Sequence, residues 1–75
     1  MHHDDPPRID ALQFVALTRG LRDAFGHVAE ADLTASQRAR WQRRLATITD
    51  VARHDLPAAA EQLARFERDW RVATR

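Results

Sequence analysis

Seventy-five residues with no cysteine and a net charge of +1 bound this chain to one small domain. A domain of that size buries roughly 60% of the surface its unfolded chain exposes. It has no disulfide to staple it, and its four histidines (His2, His3, His27, His54) are spaced unsuitably for zinc. No apolar run approaches the ~20 residues of a membrane span. Residues 1–8 lack the apolar core of a signal peptide. The absence of cysteine fits a reducing compartment, so a cytoplasmic location is expected.

Residues 1–8 read as a flexible tail, polar and carrying Pro6-Pro7, which are poor in regular structure. A helical pattern follows over residues 9–27. Asp10 places negative charge in its first turn, and Phe14, Leu17, Leu21, Ala24, Phe25 and Val28 recur at steps of three and four. On a helical wheel they fill an arc of about 100°, the width of a core-facing stripe. Gly20 interrupts this run and marks a close helix contact or a bend, while Gly26 is a candidate for an early end.

Residues 29–33 form an acidic connection. Thr34 followed by Gln37 matches a capping box, in which each side chain satisfies the other residue's backbone donor. The second helix, about residues 35–53, should bury Trp41, Leu45, Ile48 and Ala52. Asp55 then caps a third helix and Pro57 suits its first turn, where no intrahelical donor is needed. That helix, about 57–73, carries Ala59, Leu63, Phe66, Trp70 and Ala73 inward. Glu61 with Arg65, and Glu67 with Arg71, are i,i+4 pairs in the better orientation.

The expected fold is therefore all-α, a small three-helix bundle over residues 9–75. A single long helix kinked at Pro57 and paired with another chain is the rival, because the buried positions from Trp41 onward approach a heptad register. Pro57 argues against it: the ring clashes with the preceding turn and pushes Leu56 from helical geometry. Only 16 of 75 residues are Leu, Ile, Val or Phe, so association should add to a slim core.

Charge is concentrated in the second helix. Residues 35–54 hold five arginines against one aspartate, a local balance of +4 within a chain of +1. The chain has twelve arginines and no lysine, a bias that a GC-rich genome explains by itself; the clustering is not so explained. Arg40, Arg43, Arg44, Thr47 and His54 share one arc, away from Leu45 and Ala52. Guanidinium forks suit phosphates and carboxylates. This face reads as a docking surface for nucleic-acid phosphates or an acidic protein, or as a solvated face paired with neighbouring acids, Asp50 being a local partner for Arg43. Trp41 lies in the Leu45/Ile48 stripe and belongs to the core rather than to base stacking.

A second apolar patch stands on the first helix. Ile9, Leu12 and Val15 lie outside the main stripe, with Leu12 and Val15 nearly opposite Leu17 and Leu21. An amphipathic helix in a small bundle needs only one apolar side. The patch reads as a contact surface for a second copy or a different protein, with Val51 and Val72 as extensions, or as residues covered by the N-terminal tail or exposed singly.

Catalytic chemistry finds little purchase. There is no Cys, Lys or Tyr, the lone Ser36 opens a helix, and no base oriented by a third group faces a nucleophile. No glycine-rich phosphate loop is present. A free amine followed by His2 and His3 can chelate Cu²⁺ or Ni²⁺ in a square plane, a property of any chain with a third-residue histidine. No cofactor, metal or membrane partner is expected. The composition and the two surfaces imply a protein–protein interaction module, an accessory subunit, adaptor or inhibitor, with partner-binding residues Leu12, Val15, Arg40, Arg43 and Arg44. The alternative is a nucleic-acid-binding or nucleoprotein accessory factor using the Arg face.

Overall fold

The computed structural model describes the backbone of residues 5–75 and the side chains of residues 11–75. They form three helices, α1 over Asp5–Glu30, α2 over Ala35–Ala52 and α3 over Leu56–Ala73, with no strand among the described residues. Each helix packs on the other two, giving the expected all-α bundle. Residues 1–4, and with them half of the expected tail and the His2-His3 chelate, lie outside the described residues.

The first helix differs from the expected 9–27 at both ends. It begins at Asp5, so Pro6 and Pro7 open the helix instead of preceding it. Proline is tolerated there because the first-turn amides have no intrahelical acceptor and its fixed φ suits the helix. At the other end Gly26 does not stop the helix. It runs on to Glu30, and the amide of Ala31 still donates to the carbonyl of His27 at 3.0 Å.

The second helix starts where its cap predicts, and the third starts directly after its Asp55 cap at Leu56, which is helical and lies one residue before the expected start at 57. Gln37 N donates to Thr34 Oγ1 at 3.1 Å and Thr34 N donates to Gln37 Oε1 at 3.0 Å, closing the capping box. Ala58 N donates to Asp55 Oδ1 at 3.0 Å, and Pro57 occupies the first turn of α3. Between them the chain reverses, with the amides of His54 and Asp55 both donating to Val51 O at 2.9 and 2.8 Å. The hairpin is thus formed, and the kinked single helix is not.

The core draws one stripe from each helix: Leu17, Leu21, Ala24 and Val28; Leu45 and Ile48; Ala59, Leu63 and Phe66. Gly20 is where α1 meets α3. A Cβ built on it would stand 2.8 Å from Leu63 Cδ2, so the close-contact reading holds here. Trp41, half-buried, stands edge-on to Phe66 and Trp70, with ring centroids 5.3 and 5.0 Å away. Edge-to-face rings at such distances add roughly 0.5–1.5 kcal/mol per pair beyond their burial.

Several expected core positions are not buried. Ala73 is exposed, Ala52 is half-buried, and Phe14 and Phe25 remain on the surface. The reason for Phe14 is the length of α1. At 1.5 Å per residue its 26 residues span about 39 Å against about 27 Å for the 18 of α2 or α3. Burial starts at Leu17, and every residue from Ala11 to Ala16 is exposed. Gln13, Phe14 and Ala16 still border the ends of α2 and α3, and the turns of α1 before them project past its neighbours.

Candidate docking surface

Four large apolar side chains of α1 face solvent: Leu12 at 66% exposure, Phe14 at 54%, Val15 at 52% and Phe25 at 37%. Leu12 and Val15 stand on the N-terminal turns, where the sequence pattern sets them apart from the core. Phe14 and Phe25 border them on the side turned toward α2. The two phenylalanines belong to a row at steps of four, three and four with Thr18 and Leu21. Sequence reasoning assigned both to the core because their wheel position is apolar and continuous with Leu21.

Between that row and α2 lies an open groove of about 350 Å³, lined by Phe14, Leu17, Thr18, Leu21, Phe25, Thr49, Ala52 and Arg53. Its two threonines contribute methyl groups more than hydroxyls. Thr18 Oγ1 donates to Phe14 O at 2.8 Å, and Thr49 Oγ1 donates to Leu45 O at 2.9 Å, so each hydroxyl proton is taken up by its own helix. The one charged group on the lining is Arg53. A volume near the low end for ligand pockets, open along its length, suits side chains projected from a partner helix better than an enclosed small molecule.

The Arg-rich helix is less uniform than its sequence implies. Arg38, half-buried, turns back to the end of α1, where Nη1 donates to the carbonyls of Val28 and Ala29 and Nη2 to that of Leu33. Arg44 bridges to α3. Its Nη1 lies 2.9 Å from Asp69 Oδ2, and its guanidinium carbon stands 5.6 and 5.4 Å from the ring centroids of Trp41 and Phe66. Asp50 does not take up Arg43; Asp69 takes up Arg44 instead. Glu61–Arg65 and Glu67–Arg71 form no ion pair within 4.0 Å. Arg40 and Arg43 remain exposed, with Arg40 on the α2–α3 face near Gln37, Trp41 and Ala73.

The five sequence-derived residues therefore fall on two separate surfaces. Leu12 and Val15 lie on the N-terminal part of α1, while Arg40, Arg43 and Arg44 belong to α2, with Arg44 committed to α3. Val51 packs against the core and cannot extend the apolar patch, whereas Val72 is 62% exposed on α3. Ile9 has no described side chain. Among the described residues no helix is long and apolar enough to cross a membrane, and no group of three or more His, Asp or Glu is placed to hold a metal ion.

No family model, no curated protein and no solved structure matches this chain.

Proposed function

We propose that the chain is a small protein–protein interaction module, an accessory subunit, adaptor or inhibitor of a larger protein or complex. The observation that carries this reading is the exposure of Leu12, Phe14 and Val15 together on the N-terminal part of α1. Leu12 and Val15 form one exposed apolar pair, Phe14 and Phe25 border the adjoining groove, and exposed apolar surface of that kind marks interaction sites on small domains. Leu12 and Val15 supply apolar contact. Arg40 and Arg43 supply charge that orients a partner on approach, with Arg44 contributing from its place beside Asp69.

The module is not an enzyme in this reading. Asp23, His27 and Glu67 line the α1–α3 groove, but no serine, threonine or cysteine stands with them for a base to activate. Its cytoplasmic location rests on the cysteine-free composition. A phosphate-binding role for the Arg face draws on fewer residues than the sequence offers, since Arg38 and Arg44 already have partners within the bundle. Two outward arginines give a salt dependence of roughly 1.8 logarithmic units of affinity per tenfold salt on duplex DNA.

Affinity capture from the host lysate, with and without nuclease, tests the reading when Leu12→Asp/Val15→Asp is run beside the parent. A defined protein that survives nuclease and is lost with the double variant is the expected result. Capture that disappears with nuclease transfers the arginines to nucleic acid. An unchanged protein partner in the double variant removes the α1 face from the interaction.

A further inference from the structure

Resting on the interaction-module reading, we infer that the α1–α2 groove receives an amphipathic helix whose apolar face is bordered by carboxylates. The floor is described above: Phe14, Leu21 and Phe25 with the methyl groups of Thr18 and Thr49. Along α1 it runs from Phe14 to Phe25, a rise of about 17 Å, or three helical turns. A partner helix fills such a groove with side chains at i, i+3 or i+4, and i+7.

The border selects the partner's charge. Between Phe14 and Phe25 α1 carries Arg19, Arg22 and Asp23, and Asp23 lines the α1–α3 side instead of this groove. Arg19 follows Val15 by four and Leu12 by seven, so it belongs to their row and lies off the groove's border. Arg22 follows Thr18 by four and precedes Phe25 by three, which sets it on the groove's α1 edge. Arg53 stands on the opposite edge from α2. All three are exposed, and none forms an ion pair with a described acidic residue. Asp50, one turn before Arg53, is absent from the lining.

That distribution decides against a second copy as the occupant. A two-fold pairing through this face would bring the Arg22 and Arg53 edges of both copies together, and like-charge juxtaposition disfavours a pairing. Glutamate or aspartate beside an apolar row meets the same edges with complementary charge and bidentate geometry. Phosphate polymers lack the apolar row that the floor requires.

The test uses the full chain and two fluorescent 16-residue helical peptides with the same Leu and Phe row, one bordered by Glu and the other by Lys. The Glu peptide is expected to bind at least tenfold tighter at low salt, with the gap narrowing as ionic strength rises. Arg22→Glu/Arg53→Glu should reverse the preference, and Phe14→Asp should weaken both peptides; circular dichroism of each variant establishes that it is folded. The inference is overturned by equal affinity for the two peptides, by no binding of either, or by an acidic preference that survives the arginine reversal. Sedimentation showing a dimer that Phe14→Asp dissociates would give the groove to a second copy and overturn it likewise. These failures leave the interaction-module reading standing, because that reading falls only with the capture experiment on Leu12 and Val15.

Discussion

Arg38 Nη1 lies 2.6 Å from the carbonyl oxygen of Val28, so the C-terminal end of α1 is capped by a side chain of α2. Nη1 also donates to Ala29 O at 2.9 Å, and Nη2 donates to Leu33 O at 3.2 Å. The last carbonyls of a helix have no amide ahead of them, and they carry the negative end of its dipole. A guanidinium satisfies both needs and fixes the α1–α2 connection at the same time.

Arg38→Ala should therefore cost about 2 kcal/mol of stability, the range for charge-assisted hydrogen bonds that leave buried or half-buried acceptors behind. Arg38→Lys should recover only part of it, since one ammonium cannot reproduce a fork that spans three carbonyls. Urea unfolding of the three proteins measures this. A lysine variant as stable as the parent would mean that charge alone, rather than the fork, holds the turn.

The two glycines of α1 should respond oppositely to alanine. Gly26 has nothing within 4 Å of a built Cβ, so Gly26→Ala should gain roughly 0.5–1 kcal/mol from helix propensity. At Gly20 the same methyl group would meet Leu63 Cδ2 at 2.8 Å. Displacing a core leucine offsets the propensity gain, and overpacking typically costs about 1–3 kcal/mol. Gly20→Ala is expected to be no more stable than the parent. Thermal unfolding of the pair checks the order.

The Arg44–Asp69 bridge is a separable case. Both side chains are well exposed, at 39% and 51%, so the ionic component should be small. Asp69→Asn is expected to lose under about 0.5 kcal/mol, and the loss should shrink at 1 M salt. Arg44→Ala should lose more, about 1 kcal/mol or above, because it also removes the guanidinium from beside Trp41 and Phe66. Equal losses for the two variants would show that the rings contribute nothing.

Local chemistry was legible in the sequence and relations between helices were not. Thr34 and Gln37 announce a helix start by themselves, and Asp55 with Pro57 announces another, because each motif is complete within four residues. Pro6 and Pro7 misled: the same residues that break a helix interior are accommodated in a first turn, and the pattern that distinguishes them lies in the unbonded amides. Phe14 and Phe25 have core-like positions on the wheel, yet exposure depends on what α2 and α3 cover. Arg38 and Arg44 looked like members of one basic face because their acceptors, Val28 O and Asp69, belong to other helices.

The N-terminal part of α1 should open locally in the absence of a partner. A helical segment that buries little relies mostly on propensity, and short helices are marginal in water on propensity alone. From Ala11 to Ala16 every side chain is exposed, whereas Leu21, Ala24 and Val28 anchor the following turns. Native-state hydrogen exchange should find amides at Gln13 to Ala16 opening with far smaller free energy than those at Leu21 to Val28, while Leu45 and Phe66 exchange only on global unfolding. Leu12→Asp/Val15→Asp should leave the protection at Leu45 and Phe66 within about 0.5 kcal/mol of the parent, as for surface substitutions. Uniform protection along α1 in the isolated protein would mean that the Leu12–Val15 face is already covered, and the docking surface would then have to be sought elsewhere on the bundle.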